Sequence, residues 1–378
     1  MKYFPALFLL LFCFCSLHAL GQKKLIQRLL SNDVDTTRRP SFMPIPVVGY
    51  SQENGFEFGV GTLYSTYMDA ADPQNRSSNF SALGSITTKK QYNVSLKSDI
   101  YTKENKYHLL GELKFKRTPF NFYGIGNETL ERDENKVLEE LFKIQLEAEK
   151  ALLPNTYTGL SVAFENYQYT DRDEGGLFST DPYLVDRQGG PVLFLGLSQS
   201  YDTRNSNNYP TKGFFGRVTY QYAPNLFSKS NYSASQIRVK VSNFFPLANR
   251  LVLGLNGIYY TVQGKNTPFY LLPQLGNDEM MRGYYKGRYR DQNLLTAQTE
   301  LRYRFSNRFG LVGFAGAGRV FENGNFSLQG LKPNYGAGGR YFYDPAKGLS
   351  IRLDYGVGSM APNEKRQSGF YISLAEAF

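Results

Sequence analysis

The sequence predicts an all-β protein: a transmembrane antiparallel β-barrel of sixteen strands, reached through three observations. Side chains alternate between apolar and polar with period two through most of the chain. The composition holds 29 Tyr, 29 Phe and 36 Gly with no Trp, at a mean hydropathy of −0.41. After residue 21 no apolar run approaches the roughly 18 residues that a membrane helix needs. Aromatic side chains suit the two interfacial girdles of a barrel and polar ones its lumen. Charged residues at every second position cannot sit in a sandwich core, but they can line a water-filled interior.

Residues 1–21 read as a secretory signal peptide: Lys2, an apolar run from Phe4 to Leu17, and Ala19-Leu20-Gly21 at the cleavage site. Cys13 and Cys15 lie in this segment. Each follows a bulky Phe, which argues against a lipoprotein site and leaves the mature chain without thiols. Residues 22–42 form a short periplasmic segment in which Leu25, Ile26, Leu29 and Leu30 stand at helical spacing. That spacing fits a helix capping the barrel mouth, and a polar tail fits equally.

The barrel is expected over 43–378, with strands at 43–50, 55–66, 78–88, 91–102, 105–117, 136–150, 155–168, 189–201, 212–222, 232–245, 250–263, 291–305, 308–321, 332–343, 347–357 and 368–378. The alternation is clearest where Leu295, Ala297, Leu301 and Tyr303 oppose Gln298, Glu300, Arg302 and Arg304, and where Ile351, Leu353 and Tyr355 oppose Arg352 and Asp354. Residues 136–150 also fit a helix. An even strand count is what single-chain bacterial barrels require. With the N-terminus inside, the long segments 118–135, 169–188, 264–290 and 358–367 all follow odd strands and lie outside, whereas tight turns follow even ones. Two inner connections, 67–77 and 202–211, are longer than this rule prefers. In the last strand Phe370, Ile372, Leu374 and Phe378 are expected to face lipid, with Glu376 interrupting that face near the interface.

The formal charge of +10 could indicate nucleic-acid binding, but the basic residues are spread along alternating strands and an exported chain meets no nucleic acid. Enzymatic chemistry is not expected. His18 leaves with the signal, and His108, on the lumen face beside Glu112 and Lys114, has no recognisable nucleophile context. Gly316-Ala317-Gly318 and Gly336-Ala337-Gly338 lie in strands without the helix that a phosphate loop needs. No cofactor or metal is expected. The acidic runs at Asp133-Glu134 and Asp171-Arg172-Asp173-Glu174 read as solvated loop charge, though calcium or lipopolysaccharide-bridging cations could bind there.

Residues 271–305 contain Met281-Arg282-Gly283-Tyr284, a hydrophobic residue followed by Arg-Gly-aromatic, with a Gly-containing approach, an Arg-Asp exit and a strand ending in Glu-Leu-Arg. FYGIGNET (122–129), YDTRNSNNYPTKG (201–213) and NYGAGGRYFYDPAKGLSIRLDYGVG (334–358) accompany it in chain order. In these stretches the chain resembles the BamA/TamA-like family of outer-membrane barrels, over about 43–378. The resemblance implies a long sixth external loop folded into the lumen, with Arg282 as its anchor. Asp354 is the preferred partner, because an inward carboxylate can hold a guanidinium bidentately; Gly283 permits the close turn. Without the surrounding match Arg282 would read as one more solvated loop charge. Asp202 and Arg204, beside Pro210 and Gly213, are expected to brace a periplasmic turn. Phe370, Ile372, Leu374 and Phe378 resemble the C-terminal signal by which the cell's barrel-assembly machinery recognises a barrel, and ordinary lipid-facing side chains would look the same.

Two features depart from the family. Its best-known members carry periplasmic POTRA domains, for which this sequence leaves no room, and Gly316 stands where many relatives have an acid. The function implied is insertion or translocation of proteins at the outer membrane, with lipid, lipopolysaccharide and protein clients as partners. In family logic the first and last strands pair weakly and open laterally. Pro44 and Pro46 in FMPIPVVGYS fit a weak seam, since proline donates no ladder hydrogen bond. The alternative is a passive pore or surface-structural barrel.

Overall fold

A computed structural model of the chain describes residues 31–51, 55–227 and 233–378. The expected signal peptide and the helical spacing at Leu25–Leu30 lie outside the described residues. Sixteen strands form one antiparallel sheet: β1 (Ser41–Ser51), β2 (Gly55–Tyr67), β3 (Ser77–Thr87), β4 (Tyr92–Tyr101), β5 (Tyr107–Phe122), β6 (Asn135–Leu153), β7 (Thr156–Asp171), β8 (Pro191–Asp202), β9 (Gly213–Ala223), β10 (Ser233–Ala248), β11 (Leu251–Lys265), β12 (Asn293–Tyr303), β13 (Phe309–Phe321), β14 (Lys332–Asp344), β15 (Leu349–Val357) and β16 (Ser368–Leu374). Each pairs with its sequence neighbours, the up-and-down order that the alternation predicts. Among the described residues no helix is long and apolar enough to cross a membrane.

Period two sets the two faces. On β12 Thr296, Gln298, Glu300 and Arg302 are buried inward, and Leu301 and Tyr303 are exposed outward. On β15 Arg352 and Asp354 are buried while Leu353 and Tyr355 face out. Residues 135–153 are a strand, because Glu139, Lys143, Glu147 and Glu149 need an aqueous face and the pleat sends all four inward. β5, β6 and β7 run 16, 19 and 16 residues, beyond the roughly 9–11 that cross a bilayer. Their ends carry Phe122, Val137 and Tyr167 into an aromatic cap with Phe178, Phe269 and Tyr270 at the long-loop end.

The two overlong inner connections dock onto each other and onto the sheet ends. The guanidinium of Arg76 donates to the carbonyls of Asp202 and Arg204 at 3.2 and 3.1 Å. Asn207 Nδ2 donates to the Ser77 carbonyl at 2.9 Å. Asn208 Nδ2 donates to Ser77 Oγ at 2.9 Å and to the Lys347 carbonyl at 3.0 Å. Tyr209 packs edge-on against Phe342 with ring centroids 4.9 Å apart. Residues 203–212 thus form a strap that touches β3 on one side of the sheet's free edges and the β14–β15 turn on the other.

The end of the chain corrects the expectation for the last strand. β16 stops at Leu374, Ala375 takes a φ of +75°, and the tail turns into the lumen. Phe378 does not face lipid: it packs on Phe244 and Val252, and its carbonyl oxygen accepts from Arg302 Nη2 at 2.9 Å. Extension to residue 378 would leave Glu376 on the lipid-facing side near the interface, without a partner. The turn instead brings Glu376 to Arg340 Nε at 2.8 Å and to Ser350 Oγ at 3.0 Å. Phe370 and Ile372 remain exposed on the outer face, and Leu374 packs at the seam.

Candidate functional site

The connection between β11 and β12 is the sixth of those that follow odd-numbered strands, and it enters the lumen as a folded unit. Gln274–Leu275 pairs with Tyr289–Arg290 to make a short internal hairpin. Leu275, Met281, Tyr284 and Tyr289 pack with Leu294 and Val320 of the wall. The loop reaches its tip at Met281, with φ +57°, and Gly283, with φ +107°. A Cβ on Gly283 would stand 2.7 Å from Gly358 N and from Val357, so the backbone approach requires glycine. Gly283 N donates to Tyr371 Oη at 2.8 Å. Tyr284 Oη donates to the Pro333 carbonyl at 2.6 Å and accepts from Ser359 N at 2.8 Å. Burial pushes the Tyr284 phenol above its ordinary pKa and keeps its proton available for that bond.

Arg282 is fully buried. Its Nη1 bonds Asp354 Oδ2 at 2.5 Å and its Nη2 bonds Glu300 Oε1. Its guanidinium lies 3.6 Å from the Phe314 ring centroid, and its carbonyl accepts from Asn334 Nδ2 at 2.9 Å. The carboxylates are shared further: Arg340 Nη1 reaches Asp354 Oδ1 at 2.6 Å, Arg302 Nε reaches Glu300 Oε2 at 2.8 Å, and Arg352 Nη2 reaches Asp278 Oδ2 at 3.1 Å. Four guanidiniums, Arg282 of loop six and Arg302, Arg340 and Arg352 of the wall, therefore meet Glu300 and Asp354 of the wall, Asp278 of the loop and Glu376 of the tail. In so dry a setting each charge depends on its partners, because removing one leaves the other uncompensated. The inward position of Gly316 is closed to larger residues, since a Cβ would lie 2.8 Å from Asn334 Oδ1.

The third-loop stretch joins this site. Gly126 N donates to the Arg290 carbonyl at 2.7 Å, and Thr129 Oγ1 donates to the Arg288 carbonyl at 2.8 Å. Three of the four motif stretches, 122–129, 271–305 and 334–358, thus converge around loop six.

The fourth stretch lies at the opposite end, in the strap. Arg204 binds Asp202 bidentately, Nε to Oδ1 at 2.9 Å and Nη2 to Oδ2 at 2.8 Å. Burial alone would lower the Arg204 pKa, but this pairing raises it. Pro210 is buried. Gly213 has φ +102°, with the Thr203 carbonyl 2.3 Å from where a Cβ would stand.

A family model for the Omp85 superfamily domain matches residues 73–378. The chain belongs to the Omp85 superfamily. Solved structures similar in fold include BamA from Haemophilus ducreyi lacking POTRA domains 1–3, at TM-score 0.54 and 13% identity, covering 89% of this chain and 70% of that one. CdiB from Acinetobacter baumannii gives 0.53 and 10%, covering 89% and 59%. CdiB from Escherichia coli gives 0.56 and 9%, covering 89% and 62%. No curated protein matches the chain. This Omp85 chain is an outer-membrane β-barrel protein, and its sixteen strands match the barrel of these neighbours.

A second site of this Omp85 barrel is the seam. Among the described residues no ladder joins β1 to β16. The ladder from β1 to β2 is unbroken from Ser41 to Ser51, so Pro44 and Pro46, of equal parity, turn their missing N–H toward the other, free edge. Side chains join the ends instead. Met43 and Leu63 pack with Tyr343, Leu349 and Leu374, Ser41 bonds Asp344, and Lys347 Nζ donates to the Arg39 carbonyl at 2.5 Å.

Sequence reasoning singled out Arg282 and Asp354 but gave no role to Glu300, Asp278 or Glu376. The inward parity of Glu300 was readable. The other two depend on a loop tip and a turned tail, for which alternation carries no signal. His108 is held on both ring nitrogens, by Glu149 at 2.7 Å and Asp99 at 2.9 Å, and stacks on Tyr101 at 4.1 Å.

Proposed function

We propose that this Omp85 barrel inserts or translocates polypeptides at the outer membrane by letting a client strand add to the edge left between β1 and β16. The observation that carries the reading is the seam: two strand edges that no ladder joins among the described residues, one of them carrying two prolines and the other only seven residues long. Unpaired edge groups in hydrocarbon are costly and accept an added strand. The side-chain stitch at the short-turn end keeps the edges together between clients. Lipid and lipopolysaccharide meet the outward rows, and the cell's barrel-assembly machinery builds the barrel itself. We read His108 as structural, because carboxylates occupy both of its nitrogens, and assign the protein no enzymatic step.

Photocrosslinkers at positions 43–48 and 368–374 in living cells test this. Nascent barrel proteins are expected among the adducts, and saturating crosslinking without them would overturn the reading. The unfilled part of the lumen supports a second reading, a passive pore. Steady, large planar-bilayer currents that ignore Arg282→Ala would favour it.

A further inference from the structure

β16 is the shortest strand of the sheet, seven residues, and its only ladder is with β15. A strand with one ladder and one free edge is the least anchored part of a barrel wall unless side chains hold it. Outward it shows Phe370 and Ile372. Inward it carries two side chains, and both reach loop six. Tyr371 Oη accepts from Gly283 N at 2.8 Å, and Ser373 Oγ donates to Asp278 Oδ2 at 2.7 Å. The chain entering β16 is held in the same way. Gln367 Oε1 accepts from Tyr285 N at 3.3 Å, and its Nε2 donates to Tyr289 Oη at 3.4 Å. Glu364 takes the buried Arg288 on both oxygens, at 2.9 and 2.8 Å, and one of them also accepts from Glu131 N at 2.6 Å.

The other edge of the seam has no such hold. β1 turns Met43, Ile45 and Val47 inward, and none of these has a polar group to offer the loop. What ties the start of the chain comes from the β14–β15 turn, through Asp344 to Ser41 and through Lys347 to the Arg39 carbonyl. Loop six in turn is fixed to the wall without help from β16: Arg282 holds Asp354 and Glu300, and Asn334 holds the Arg282 carbonyl. The contacts therefore run in series, from the wall to the loop and from the loop to the last strand.

We propose that loop six carries β16. Tyr371 and Ser373 in the lumen, with Gln367 and Glu364 at the outer end, are positioning residues that tie the last strand to the loop, so that a displacement of the loop is passed to one edge of the seam and not to the other. This names what sets one edge of the proposed insertion site. It is tested on the barrel alone, so it stands or falls apart from the insertion reading.

The test reads amide exchange of the full barrel purified in a maltoside detergent, with no client present. Tyr371→Phe/Ser373→Ala removes both lumen contacts and leaves Arg282, Asp354 and Glu300 in place. Exchange in 368–374 should quicken about tenfold or more, while β5–β7 and β12–β14 keep their protection and the unfolding temperature stays near that of wild type. The decisive comparison adds Gly283→Ala, which crowds the loop tip against Val357 and changes no residue of β16. In the wild-type background it should quicken exchange in 368–374. In the untethered background it should add less than about twofold, because the contacts that pass on the shift are gone. Heat-modifiable gel migration shows that each variant is folded; should the double variant fail, Ser373→Ala alone carries the same expectation at 372–374. Unchanged exchange in 368–374 on loss of the tethers, equal quickening in every strand, or full additivity of the two changes would overturn the proposal.

Discussion

The two sides of this lumen are lined by the same kinds of residue and use them in opposite ways. On the wall from β12 to β16, loop six lies against the strands and four buried guanidiniums each find a carboxylate: Arg282 with Asp354 and Glu300, Arg302 with Glu300, Arg340 with Asp354 and Glu376, Arg352 with Asp278. On the wall around β5 and β6, Lys114 makes no ion pair and stands in a solvent-reachable chamber. Inward charges on this side pair as well, Lys116 with Glu139, Lys143 with Glu112 and Glu165, and Arg217 with Glu147, but they border open lumen. Burial by the loop, not residue type, sets the difference.

The largest effect expected follows from breaking the dry side. Arg282→Ala leaves buried Asp354 and Glu300 short of a partner and should cost about 3–5 kcal/mol, seen as thermal unfolding of the detergent-solubilised barrel at lower temperature. Arg282→Lys should recover only part of this, since one ammonium cannot serve both carboxylates as the planar guanidinium does. Released from its anchor, loop six should also turn low, flickering planar-bilayer currents into larger ones. If Arg282→Ala unfolds like wild type, the network is no more than solvated charge.

A smaller effect isolates the backbone from the ion pairs. Gly283→Ala keeps all four guanidiniums but forces a Cβ to 2.7 Å from Gly358 N at a φ of +107°, costing about 1–3 kcal/mol. Smaller again is the strap: Tyr209→Ala removes the ring packed on Phe342 and set beside Arg302 and Arg304, but leaves the lumen's ion pairs in place. Hydrogen exchange should then quicken in β1 and in the β14–β15 turn while β5–β7 stay protected. Uniform acceleration across the barrel would mean that the strap does not act on the seam.

These regions also differ in how much of them could be read from sequence. The strands were legible because period two is a local property: Arg352 and Asp354 face inward whatever lies around them. Residues 135–153, ambiguous between helix and strand, are settled by their neighbours, since only pairing with β5 and β7 gives Glu139 and Glu149 a common polar side. Glu376 was misread for the same reason in reverse. Its alternation places it on the outer face near the interface, but Arg340, thirty-six residues earlier, draws it inside, and Arg302 holds the Phe378 carbonyl there. The strap announced itself only as two inner connections of unusual length, because its hydrogen bonds join Ser77 to Asn208 and Asn208 to Lys347, contacts that no local pattern encodes.

The smallest expected change in stability is on the wet side, and it is the sharpest test of the contrast. Lys114 breaks no ion pair when it is lost, and removing it relieves repulsion from Lys116 and Lys286. Lys114→Gln should therefore alter stability by no more than about 0.5 kcal/mol, while Arg340→Gln, a comparable neutralisation across the lumen, strands Glu376 and half of Asp354 and should approach the cost of Arg282→Ala. The two variants, unfolded side by side in one detergent, give the comparison directly. Equal losses would mean that both walls are alike and that loop six excludes no water. A large gap, with Lys114→Gln near wild type, shows that the loop divides one ring of inward charges into a dry part that holds the barrel together and a part that borders open lumen and contributes little to stability.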